Sequence, residues 1–405
     1  MSILTGKKIL LGVTGSIAAY KAADLASKLT QAEAHVDVVL TGAAEKFIPP
    51  ITFQSLTGRK AYTDADLWGG EAHVLHVGLG HAADLLVIAP CTANTLAKLA
   101  HGQSNDLLSI TALAAQCPSM VAPAMDVGMY EHPATQENVR ILHERGVYVA
   151  GPAEGRMASG LVGRGRMLEP AELLGHIRLV LGRATGALAD KKVVITAGGS
   201  QEDIDPVRYI TNRSSGKQGY AVAQAALDAG AAVTLISTPT ALTAPVGAKV
   251  ISVRSAQEML DAVLKESMGA DALIMAAAVA DFRPASVAGN KLKKRDGIPQ
   301  ITLEAAPDVL GTIASLNSGA SRPKVVIGFA AESRDLLANA SEKMVSKKMD
   351  MIVANDISAT DAGFDVEENR VTILMPDGKQ EKLSLRSKFA VAEKIIVELA
   401  NLLEN

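Results

Sequence analysis

Aromatic side chains are scarce, at 3% of 405 residues with a single tryptophan, which disfavours a surface that stacks on nucleobases. Two cysteines, Cys91 and Cys117, are too few for a disulfide framework or a cysteine-rich metal centre. There is no excess of positive charge: 40 Lys and Arg face 43 Asp and Glu, for a net charge of -3. That balance argues against partners such as nucleic acid or an anionic membrane. No apolar run approaches the ~20 residues of a membrane span, and the opening MSILTGKKILLG has no leader-cleavage pattern. A soluble, cytosolic protein is therefore expected. What is plentiful is apolar: 48% hydrophobic against 20% charged residues, which excludes global disorder and permits large cores.

One opening occurs twice. KKILLGVTGSIAAYK (7–21) and KKVVITAGGSQED (191–203) each join a basic pair, an aliphatic run and a turn of glycine with small hydroxyl residues. A buried parallel strand that ends in a phosphate-accommodating turn reads this way. After the first opening an alanine-rich helix is expected over about 17–32, with strands at 35–40, 84–90, 119–125 and 147–151. After the second, strands are expected at 232–237, 249–253, 272–278, 324–330 and 351–355. Helix-length spacers between such runs imply βαβ units. Near the end, Pro376-Asp377-Gly378-Lys379 separates two short runs, as in an antiparallel hairpin, and a last helix begins near Ser387. The expected fold class is α/β, with two Rossmann-like three-layer domains of mainly parallel sheet. They are expected at 1–180 and 191–405, joined by a linker at 181–190.

Dinucleotide binding is the first reading to weigh, but its glycine pattern is loose (Gly12, Gly15, Ala18). A nicotinamide site also wants an acidic residue ending the second strand. Here Thr41 stands there in one half and Ser237-Thr238 in the other. Hydroxyl and amide groups (Ser16, Thr41, Thr92, Asn94) at three strand ends suit the phosphate of one mononucleotide such as FMN.

These residues resemble a known family. GVTGSIAAYK, APCTANTLAK (89–98), NDLL (105–108) and PAMDVGMY (123–130) are similar to the flavin-dependent cysteine decarboxylases, whose flavin domain is homo-oligomeric. DPVRYITNRSSGKQGYA (205–221), AAAVADFRP (276–284), KLKK (291–294) and GFAAES (328–333) resemble phosphopantothenate–cysteine ligases. Both together are the pattern of the bifunctional family of coenzyme A biosynthesis. For the first half the resemblance implies FMN, held by Gly15, Ser16, Ile17, Thr41, Thr92 and Asn94. It also implies decarboxylation of 4'-phosphopantothenoylcysteine once the thiol carbon has been oxidised to C=S. His76 is implied to work beside the flavin, while His73 and His81 are expected to be surface or helix residues. No Cys or further His completes a metal site with His73 and His76. Met125, Asp126 and Met129 are implied to clamp the substrate, under a flap (155–167) that carries Ser159. Two of these depart from the family pattern: Asp126 stands for Asn and Ser159 for a proton-donating Cys. A hydroxyl is a far weaker acid than a thiol.

For the second half the resemblance implies an acyl-cytidylate made from 4'-phosphopantothenate and CTP with Mg2+, then attacked by L-cysteine. Asn212 and Arg208 are implied to turn over this intermediate, with a phosphate cradled before the helix that follows NRSSGK. Met275, Ala276, Ala277, Asp281, Lys291, Pro307, Asp308, Phe329, Lys343 and Lys347 are implied nucleotide contacts, although Ala306 replaces the usual Asn before Pro307. The family's trimeric flavin domains and dimeric ligase domains would make a dodecamer. The alternative reading is a CTP-dependent ligase fused to a flavin domain that is impaired or regulatory.

Overall fold

The basic pair that opens each half closes the same structural joint twice. In the computed structural model, the Lys8 N–H donates to Asp84 Oδ2 at 2.7 Å and the Asp84 N–H returns to the Lys8 carbonyl at 2.8 Å. Lys192 and Asp271 repeat the exchange, both bonds at 2.9 Å. Each aspartate thus satisfies the first N–H of a central strand, which would otherwise lack a partner at the sheet's end. The Asp271 carboxyl is pushed up by burial, but the Lys192 N–H and the Lys324 ammonium outweigh this and hold it low. The structure describes the chain except for residues 1, 69–73, 295–296, 318, 320, 333–335, 357–365 and 405; the expectation for His73 therefore lies outside the described residues.

The chain folds as two units, Met1–Ala184 and Thr185–Asn405. In the first, β1 (Lys8–Val13), β2 (His35–Leu40), β3 (Ala61–Tyr62), β4 (Leu85–Cys91), β5 (Ser119–Pro123) and β6 (Tyr148–Val149) form one parallel sheet, ordered β3-β2-β1-β4-β5-β6. One face carries α1 (Ala19–Gln31), α2 (Pro50–Thr57) and α8 (Pro170–Thr185). The other carries α3 (Leu75–Ala82), α4 (Ala93–His101), α5 (Leu107–Ala114) and α7 (Pro133–Glu144), with α6 (Val127–Glu131) beside them. The KILLGV run is apolar throughout because the sheet is covered on both sides: Ile9, Leu11 and Val13 join one core and Leu10 the other. A hairpin, β7 (Ala153–Arg156) with β8 (Val162–Arg166), stands apart from this sheet.

The second unit orders seven strands around β9 (Lys192–Ala197). These are β12 (Ala232–Ser237), β13 (Lys249–Ser252), β14 (Ala272–Met275), β17 (Val325–Glu332), β18 (Met351–Asp356), β19 (Glu368–Leu374) and β20 (Gln380–Ser387), in the order β13-β12-β9-β14-β17-β18-β19-β20. The pairs are parallel up to β18 and antiparallel through the final hairpin. Two small ribbons, β10 (Gln201–Asp203) with β11 (Tyr209–Thr211) and β15 (Phe282–Pro284) with β16 (Leu303–Ala305), extend from it. The helices α10 (Ala256–Ser267), α11 (Val309–Ser315) and α12 (Leu336–Ser346) cover one face. On the other, α9 (Lys217–Asp228) packs against α13 (Lys388–Glu404).

Three expectations need adjusting. The stretch 181–190 is helical up to Thr185, because Leu181 is buried in the first core. The strand expected over 272–278 ends at Met275, where the Ala277 N–H leaves the ladder for Thr196 Oγ1. The strand expected over 147–151 is only Tyr148–Val149.

Candidate functional site

In each sheet the strand order reverses beside the opening strand, between β1 and β4 and between β9 and β14. Ligands bind open α/β sheets outside the carboxyl ends of the strands at such a reversal. In the first unit the buried Thr14, which sequence reasoning missed, stitches this point together. Its hydroxyl donates to the Pro90 carbonyl at 2.7 Å and accepts from the Thr92 N–H at 3.2 Å. Thr92 Oγ1 in turn caps α4 at the Thr95 N–H. Gly15 is held against Ala43 so closely that a Cβ would lie 2.5 Å from the Ala43 Cβ, so the turns after β1 and β2 form one cradle. Ser16 Oγ accepts from the Ala18 N–H at 3.2 Å, and Thr41 Oγ1 from the Ala44 N–H at 3.3 Å. Asn94 and Ile17 are exposed beside them. Small residues, hydroxyls and the start of α4 gathered at one strand-end crevice fit a phosphate-bearing flavin. His76 is half-buried on α3. Burial pushes the Cys91 and Cys117 thiols up, so neither is poised as a nucleophile.

The segment expected as a flap is the β7–β8 hairpin, and it is docked on the turn after β5. The Met125 N–H donates to the Gly165 carbonyl at 3.0 Å. At the tip, Ser159 Oγ donates to Asp126 Oδ2 at 2.5 Å, while Asp126 Oδ1 caps α6 through the Gly128 N–H at 3.1 Å. The two departures from the family pattern therefore meet each other. Both Asp126 oxygens are engaged as acceptors, so the carboxylate is anchored on one side and carries the hydroxyl on the other. Met125 is partly buried and Met129 exposed on α6.

In the second unit a cleft of about 710 Å3 crosses the carboxyl ends of the strands. Its wall brings together Asn212, Met275, Ala276, Ala277, Asp281, Pro307, Asp308, Phe329, Lys343 and Lys347. Asn212 Nδ2 donates to the carbonyls of Ala278 at 3.3 Å and Val279 at 3.1 Å. Lys343 on α12 donates to the Phe329 carbonyl at 3.1 Å, and Lys347 pairs with Asp308. Burial pushes the Asp308 carboxyl up, but the Lys347 ammonium and the Gly311 N–H outweigh it and hold it below the usual carboxylate range. The turn from Asn212 to Gly216 leads into α9, and Gly216 takes φ +76, a left-handed conformation that glycine adopts without strain.

Arg208 and Lys291 stand apart from this wall. Arg208 binds Asp205 through Nε at 3.0 Å and Nη2 at 2.7 Å and reaches the Leu292 carbonyl at 2.6 Å, next to Lys291. Asp205 is buried, which pushes its carboxyl up. The N–H groups of Val207, Leu292 and Arg208 and the guanidinium prevail and hold it at about 2. A carboxyl lowered by folding stabilises above its unfolded pKa of ~3.9, and that contribution is lost as pH falls from ~5 toward ~2. Asp205→Asn is accordingly expected to flatten the acid limb of stability, read by urea unfolding at steps across that window. An unchanged slope would show that Asp205 does not contribute to it.

Sequence reasoning also missed Gln218, Asn355, Asn369 and Lys388 on the same cleft; polar residues in strands and helix starts give no periodic signal that they share a site. Among the described residues no group of three or more His, Cys, Asp or Glu could hold a metal. Magnesium here would fit as an ion carried by a triphosphate with one or two carboxylates such as Asp281. Among the described residues no helix is long and apolar enough to cross a membrane.

Comparison with known proteins agrees with this two-part architecture. The Flavoprotein family model matches residues 2–182, and that of the DNA/pantothenate metabolism flavoprotein C-terminal domain matches 188–403. The coenzyme A biosynthesis bifunctional protein CoaBC of Vibrio vulnificus (strain YJ016) is 44% identical over 100% of both chains. That of Bacillus subtilis (strain 168) is 42% identical over 99% of this chain and 98% of its own. A crystal structure of the C-terminal domain of such a protein is 39% identical, covering 54% of this chain and 99% of its own, with a TM-score of 0.46. By full-length identity and by both domain models, this chain belongs to the family of the coenzyme A biosynthesis bifunctional proteins.

Proposed function

We propose that the chain joins L-cysteine to 4'-phosphopantothenate with CTP and Mg2+, then decarboxylates the product to 4'-phosphopantetheine with FMN. The observation that carries this reading is the second unit's cleft, where Asn212, Asp281, Asp308, Lys343 and Lys347 line one wall beside the start of α9. A carboxylate resists amide formation until it carries a leaving group. Attack on the α-phosphate of CTP gives the acyl-cytidylate and pyrophosphate, and cysteine's amine then displaces CMP. Lys343 and Lys347 would offset nucleotide charge, with Lys291 closing over it from its loop. Asn212, anchored on the Ala278 and Val279 carbonyls, would clamp the acyl group.

In the first unit the cradle formed by Gly15, Ser16, Thr41, Thr92 and Asn94 would hold FMN, which when bound takes up and returns the electrons of the decarboxylation. His76 would move a proton there. The Met125–Met129 turn and the hairpin tip would cover the substrate and exclude water. Ser159, its hydroxyl held by the Asp126 carboxylate, would stand where the family carries a thiol. Exposed apolar residues support the assembly expected by resemblance: Ile17, Tyr20 and Phe47 beside the flavin cradle, and Tyr209, Phe282 and Leu303 on the ribbons. They would seat a trimeric flavin domain and a dimeric ligase domain.

Mass spectrometry of one reaction tests the whole reading, with purified protein, 4'-phosphopantothenate, cysteine, Mg2+ and CTP, and ATP in a parallel tube. The expected product is 4'-phosphopantetheine, in the CTP tube. Accumulation of 4'-phosphopantothenoylcysteine would leave a ligase with a silent flavin half. No CTP-dependent product would sink the proposal.

A further inference from the structure

Two polar side chains that line the ligase cleft, Gln218 and Asn355, have no role in the reactions proposed for it. Asn355, at the end of β18, is only 8% exposed, and its Oδ1 finds no hydrogen-bond partner among the described residues. On α9, Gln218 Oε1 is likewise buried without one. The orientation of Gln218 is set, because its Nε2 donates to the Lys388 carbonyl at 3.1 Å; the oxygen is left as the free acceptor. Both residues line the cleft, together with the buried Asn369 and Lys388. A buried acceptor without a donor is costly, and two that line one cleft are better explained by a ligand that brings donors.

Charge narrows the ligand. Lys217 and Lys388, the first residues of α9 and α13, both line the cleft, so two helix amino ends lie beside it. Lys217 is offset by Glu367 at 2.5 Å, and Lys388 also has partners within the chain. The two helix amino ends nonetheless favour an anion over a cation. The ligand's donors must therefore be neutral N–H or O–H groups on a molecule that also carries phosphate.

We infer that Gln218 and Asn355 form a subsite that accepts hydrogen bonds from the neutral N–H or O–H groups of a phosphate ester, whose phosphate lies toward the starts of α9 and α13. The inference rests on the ligase reading, in which two ligands have this chemistry: the nucleotide, through its base amine or ribose hydroxyls, and 4'-phosphopantothenate, through its hydroxyl and amide. Cysteine, an ammonium ion in solution, does not.

The test uses the full chain and the variants Asn355→Leu and Gln218→Met. Equilibrium binding of CTP and of 4'-phosphopantothenate is measured separately, alongside the KM for cysteine and the melting temperature. In both variants the dissociation constant of one phosphate ester is expected to rise about 10-fold, and the one that rises names the source. The KM for cysteine should stay unchanged. Unaltered binding of both esters, or an effect confined to cysteine, would overturn the subsite. If Asn355→Leu melts markedly lower, the half-buried Gln218→Met carries the decision. A wild-type chain that makes no phosphopantothenoylcysteine would instead sink the ligase reading, whereas an active wild type with unaltered variants sinks only the subsite.

Discussion

Asn212→Ala is expected to keep CTP-dependent release of pyrophosphate within about 3-fold of wild type while overall ligation falls by ~10²–10³-fold. Asn212 follows β11, and its amide nitrogen is fixed on two carbonyls beyond the end of β14. That leaves the amide oxygen at a set place on the cleft wall, where in the proposed reaction cysteine would meet the activated acyl group. Removing the side chain leaves Lys343 and Lys347, proposed to offset the nucleotide's charge, in place, so formation of the acyl-cytidylate should survive and aminolysis should fail. Quenched-flow analysis would then find the acyl-cytidylate accumulating. An equal fall in both half-reactions would show that Asn212 is part of the wall and not of the transfer step.

Gly165→Ala is expected to slow decarboxylation by about 10–100-fold, the range a misplacement of ~1 Å can cost, and to leave ligation unchanged. The reason is steric. A Cβ at Gly165 would lie 2.3 Å from the Met125 carbonyl oxygen and 2.7 Å from the Met157 Cε. The methionine end can swing away, but the Met125 backbone cannot, since its N–H is bonded to Gly165 itself. The hairpin must lift, and with it goes the Ser159–Asp126 contact. Formation of 4'-phosphopantetheine from 4'-phosphopantothenoylcysteine measures the rate, and limited proteolysis at the hairpin tip reports the lift. Faster cleavage at an unchanged rate would mean that the docked hairpin is not needed for the chemistry.

Much of the frame was legible in the chain. The strand of the repeated opening, the helix after it and the terminal hairpin follow from runs of a few residues bounded by glycine, proline and aspartate. β12, expected at 232–237, forms over Ala232–Ser237. Strand ends were less legible: β14 stops at Met275 because Thr196, from the neighbouring strand, takes the Ala277 N–H. No local pattern contains that competition. Residues named through resemblance, among them Asn212, Asp281, Asp308, Lys343 and Lys347, line one cleft, while Arg208 and Lys291 stand off it, Arg208 being bound to Asp205 and to the Leu292 carbonyl.

The sequence by itself determined two α/β halves, each with a glycine-rich turn after its first strand, because hydrophobic period and turn chemistry act over a few residues. Tertiary structure alone decided that Ser159 meets Asp126, that Asp205 is clamped by the Leu292 loop, and that Gln218 and Asn355 line one cleft. These contacts join residues 33 and 87 positions apart in the first two cases. They arise only when packed sheets bring distant loops to the same strand ends, where burial makes each unpaired polar atom count.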